Sequence, residues 1–96
     1  MNRDATIVLR LLRTDEGGRK GPILPGILRG MMTFDGTQCH DFRARIDEDL
    51  YPGEARELDV AFLCPDLVAP KIVVGTPFVL MEGRPIGHGH MLACMI

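Results

Sequence analysis

The segment His40-Asp41-Phe42-Arg43-Ala44-Arg45-Ile46-Asp47 alternates apolar and charged residues without a break. Phe42, Ala44 and Ile46 share one phase, and Asp41, Arg43, Arg45 and Asp47 share the other. Only an extended strand, with its side-chain period of two, puts those sets on opposite faces; a helix would scatter both around its axis. Ala5-Thr6-Ile7-Val8-Leu9-Arg10-Leu11 repeats the pattern, with Ala5, Ile7, Leu9 and Leu11 on one face and Thr6 and Arg10 on the other. In Leu58-Asp59-Val60-Ala61-Phe62-Leu63-Cys64 the inward set is Leu58, Val60, Phe62 and Cys64. Phe78 and Ile86 hold the apolar phase of two later strands, so the expected core is Ile7, Leu9, Phe42, Ala44, Ile46, Leu58, Val60, Phe62, Phe78 and Ile86.

Eleven glycines and seven prolines are spread along the chain and mark connections, not a linker or tail. Gly36, with Asp35 and Thr37, makes a tight turn between strand pieces at 31–34 and 38–47. Residues 48–50 leave room for one helical turn, which Pro52 would stop. About six strands with a turn every ten or so residues fit a small antiparallel barrel or sandwich, and closure into a barrel removes exposed edges. The expectation is an all-β, six-stranded antiparallel barrel occupying residues 1–96 as one domain. A chain of 96 residues buries roughly two-thirds of its unfolded surface, enough for one core.

Several function classes fall away on composition. A formal charge of −2 argues against a protein held on DNA or a membrane by bulk charge, so a nucleic-acid role needs a local patch. Apolar runs are far shorter than the roughly 20 residues of a membrane helix, and the N-terminus lacks the apolar stretch of a signal peptide; a cytoplasmic protein is expected. Cys39, Cys64 and Cys94 have no paired spacing and read as reduced, mostly buried thiols. The sequence contains no serine, which removes serine-nucleophile hydrolysis. Cys39 and His40 are neighbours on a strand and point to opposite faces, so they form no thiol–imidazole dyad. The phosphate-binding Gly-x-x-x-x-Gly-Lys-Ser/Thr loop is absent. No catalysis and no cofactor are expected.

Three features are candidate sites. In Gly17-Gly18-Arg19-Lys20-Gly21-Pro22 the glycines let the backbone approach a ligand and Arg19 and Lys20 offer charge to phosphate oxygens, or else Arg19 pairs with Asp15 or Glu16. His88 and His90, two apart on a strand, share a face and are weak candidates for a metal, lacking a defined third ligand. Ile23, Leu24, Ile27, Leu28, Met31 and Met32 form an apolar strip that suits docking on a partner or on a second copy. Asp47-Glu48-Asp49 lacks the calcium-loop spacing and reads as a solvated loop, and the six methionines as core fillers or an adaptable surface.

Three segments in order carry a resemblance: Asp15-Glu16-Gly17-Gly18-Arg19, then Tyr51-Pro52-Gly53-Glu54, then Glu82-Gly83-Arg84-Pro85-Ile86-Gly87-His88-Gly89. With the strands between them they resemble the third, C-terminal barrel domain of bacterial elongation factor Tu over residues 5–92. The resemblance implies that barrel, and a Gly-Gly-Arg loop on the face that meets the T stem of aminoacyl-tRNA. Arg19 matches that loop, with Lys20, Arg29 and Arg84 adding charge. The family's GTPase loop lies in a domain this chain lacks, so only binding carries over. Two departures stand out: Ile27-Leu28-Arg29 replaces the usual Tyr-Arg-Pro, and the hairpin at Met81-Glu82-Gly83-Arg84 is one residue shorter. The resemblance thus implies a non-catalytic module engaging tRNA-like RNA or a translation protein through Gly18, Arg19, Lys20, Arg29 and Arg84. The residues alone keep open a protein-interaction or self-association module built on the apolar strip.

Overall fold

The computed structural model describes residues 3–96. Six strands, β1 (Ala5–Leu11), β2 (Gly26–Thr33), β3 (Cys39–Ile46), β4 (Ala55–Phe62), β5 (Pro77–Met81) and β6 (Pro85–Cys94), form a closed barrel in the order β1-β4-β3-β2-β5-β6. Every neighbouring pair is antiparallel. No helix among the described residues is long and apolar enough to cross a membrane.

The two-residue alternation sets the walls. Along β3 the residues are exposed and buried in strict turn, Phe42, Ala44 and Ile46 facing in, and along β1 buried Ala5, Ile7, Leu9 and Leu11 alternate with half-buried Thr6, Val8 and Arg10. All ten expected core residues are buried. Phe42 and Phe62 stand directly opposite each other across β3 and β4, and both are buried.

The turns form where glycine and a short polar side chain coincide. Asp35 accepts hydrogen bonds from the Thr37 and Gln38 amides at 2.9 and 3.0 Å, and Gly36 takes φ +84°. Those amide donors hold the Asp35 carboxyl well below the usual carboxylate range. At Pro52-Gly53, Gly53 has φ +90°, and its N–H donates to the Leu11 carbonyl at 2.9 Å, tying this turn to the end of β1.

Several expectations need correction. Residues 48–50 form no helical turn: Leu50 is fully buried and pairs with Ile23 in an isolated bridge. The one short α-helix among the described residues is α1 (Pro65–Val68), begun by a proline at its first position, where a missing N–H costs nothing. Because β4 ends at Phe62 and the chain turns into α1, Cys64 leaves the inward phase and is exposed. Cys39 is exposed too, and Cys94 half-buried, so the thiols are not mostly buried.

Candidate functional site

The two glycine-arginine segments lie against each other. Arg19 donates from one guanidinium nitrogen to both oxygens of Glu82, at 2.8 and 2.6 Å, and from its other nitrogens to the Gly21 and Pro22 carbonyls, each at 3.3 Å. Arg84 reaches back, donating to the carbonyls of Gly17 and Gly18 at 3.1 Å each. Below them Glu16 accepts from the Arg13 amide at 2.8 Å and from Arg10 at 3.1 Å, and these donors hold its carboxyl below the usual value. The loop conformation depends on Gly17, at φ +90°, and on Gly18, which is buried against the Leu12 and Arg13 carbonyls with no room for a Cβ.

The role expected of this loop changes accordingly. Gly18 brings the backbone close to its own chain, and Arg19, expected to offer its charge to phosphate oxygens, is half-buried with its guanidinium occupied. Its acidic partner is Glu82, not the Asp15 or Glu16 expected from local spacing. Lys20 remains exposed.

The apolar strip is divided by the pleat. Ile23 and Met32 belong to the core, Leu28 is half-buried, and Leu24, Ile27 and Met31 are exposed. Adjacent residues of a strand face opposite ways, so Met31 and Met32 cannot share a surface.

Outside the barrel, β2 and β3 build a site that the sequence did not reveal. Arg29 of β2 stands directly opposite Arg43 of β3, and no carboxylate among the described residues lies within ion-pair distance of either. The two arginines border a groove of about 570 Å³ that Met31, Asp41, Ala61 and Leu63 also line. Leu63 is 64 % exposed and Met31 40 %. Arg43 was legible only as one outward residue of an alternating strand; its meeting with Arg29 follows from a register that no local pattern specifies.

His88 and His90 are exposed on β6, opposite Arg10 and Val8 of β1. Among the described residues, no three His, Cys, Asp or Glu side chains group closely enough to hold a metal ion. His40 is buried on β3, accepting from the Lys71 ammonium at 3.1 Å through Nε2 and stacked obliquely on Phe34. Burial, and then the Lys71 charge, lower its pKa below the ordinary value.

No protein-family model matches this chain, and no curated protein matches it.

Proposed function

We propose that this chain is a non-catalytic binding module, with a barrel of the kind found in the third domain of elongation factor Tu, and that it recognises a protein presenting an acidic and apolar segment. The observation that carries this reading is the Arg29–Arg43 pair beside exposed Met31 and Leu63. Like charges placed directly opposite each other on a sheet are destabilising, and an incoming carboxylate between them relieves that repulsion. Arginine and methionine flanked by apolar surface are also the residue types enriched where proteins meet.

The RNA reading keeps Lys20 and Arg29 as its phosphate contacts, while Arg19 and Arg84 are committed to internal partners. The groove offers no exposed aromatic ring on which a base would stack, which favours a protein ligand.

Capture from lysate with the wild-type chain and with Arg29→Glu/Arg43→Glu tests the choice. A protein partner that survives ribonuclease and is lost in the double variant, with the circular dichroism spectrum unchanged, supports the reading. Capture of tRNA that ribonuclease abolishes and that weakens steeply with salt replaces it with the RNA reading.

A further inference from the structure

The barrel is not closed evenly. Strand β2 pairs with β3 along its whole length, residues 26–33, but its ladder to β5 holds only Met31, Met32 and Thr33. Strand β5 has five residues and ends at Met81, where Gly83 takes φ +71° and the chain turns back into β6. Glu82, the next residue, turns its N–H to the Arg84 carbonyl at 2.9 Å within the hairpin, and its carboxylate meets Arg19.

Residues 26–30 therefore have no partner strand on that side. In a strand, residues facing the same way direct their backbone groups to the same neighbour. Leu63 donates its N–H to the Asp41 carbonyl at 3.0 Å, so the outward residues of β3 bond toward β4 and the inward ones toward β2; Leu28 and Gly30 therefore bond to β3, and Ile27 and Arg29 aim their N–H and C=O groups at the open side. Five residues of strand give an edge about 17 Å long. Beside it lies an opening of about 230 Å³ whose lining includes Leu28, Met31, Leu80 and Ile86 together with Arg29 and with Glu82, whose carboxylate is already paired with Arg19.

We propose that this edge receives an extended peptide of another protein, which adds a strand beside residues 26–30. The inference rests on the reading of the chain as a protein-binding module and supplies its mode. Unpaired backbone donors and acceptors are a template for a strand and select no particular side chain. The flanking surfaces select those. Alternate side chains of the added strand enter the apolar part of the opening, beside Leu28, Leu80 and Ile86, and the others emerge next to Arg29, where a carboxylate meets a guanidinium that has no ion-pair partner among the described residues. The peptide thus alternates apolar and acidic residues. A second copy of this chain fits less well: on the outward face of the same edge it brings Ile27 and Arg29 and no carboxylate.

A displayed random-peptide library panned on the full 96-residue chain provides the probe. Selected peptides are expected to alternate apolar and acidic residues. Saturation with one of them should slow hydrogen exchange of the Ile27 and Arg29 amides by at least about tenfold, because unpaired strand amides exchange freely until they are bonded. Ile27→Pro removes one N–H from the open side only, and should weaken binding at least about tenfold while leaving the β2–β3 ladder in place. Should that variant not fold, methylating alternate backbone nitrogens of the peptide tests the same bonds with the protein unaltered, and abolished binding is the expected result.

Peptides that bind without protecting those two amides, or that tolerate both Ile27→Pro and backbone methylation, overturn strand addition. If such peptides are still lost with Arg29→Glu/Arg43→Glu, the groove stands and only the mode fails. Peptides insensitive to every variant, an empty selection, or protection of the edge by tRNA alone overturn both.

Discussion

Arg19 and Glu82, 63 residues apart, meet at 2.6 Å, and Arg84, two residues beyond Glu82, returns the contact by donating to the carbonyls of Gly17 and Gly18. The two glycine-arginine segments are therefore each other's ligand. They join the loop after β1 to the β5–β6 hairpin, at the end of β5 where the β2–β5 ladder stops.

Arg19→Ala is expected to destabilise the barrel by about 1–2 kcal/mol, since it removes charge-assisted and carbonyl hydrogen bonds from a half-buried side chain. Glu82→Ala should cost less, under about 1 kcal/mol, because Glu82 is 53 % exposed and water screens the pair. A double-mutant cycle in urea should give a coupling of about 0.5–1 kcal/mol.

Gly89→Ala should be far worse than Gly21→Ala. A Cβ at Gly89 would fall on the Val8 carbonyl and the Phe78 ring, while one at Gly21 meets nothing within 4 Å. A loss of about 3 kcal/mol is expected for the first, and within about 0.5 kcal/mol for the second, by thermal or chemical unfolding.

Phe62→Ala is expected to cost about 3–5 kcal/mol, the range for a buried aromatic whose neighbours collapse only partly into the cavity. Its cross-strand partner Phe42 would lose one packing face, so the Phe42→Ala/Phe62→Ala pair should be non-additive.

His40 should make stability fall on acidification. Burial lowers its folded pKa below the ordinary 6.5, and Lys71 adds to the effect. As pH drops through that value, the unfolded chain takes up a proton that the folded chain resists, so the equilibrium shifts toward unfolding. The urea midpoint should therefore fall between pH 7.5 and 5.5, and His40→Gln, which keeps an acceptor for Lys71, should flatten the dependence.

The alternating parts of β1, β3 and β4, the ten expected core residues and the turn at Gly36 are legible in the chain because they obey local rules. A period of two needs only neighbours, and a turn with positive φ needs only a glycine in place. The same rules did not reach the burial of Ile23 and Met32, because whether an apolar side chain is covered depends on which strand passes over it. Nor did they reveal the exposure of Cys64, which follows from where β4 gives way to α1. The Arg19–Glu82 contact, the Arg29–Arg43 pair and the open edge at residues 26–30 were decided only by tertiary structure. Each depends on the register and length with which strands distant in sequence meet when the barrel closes, and side-chain pattern specifies a strand's face but not its opposite number.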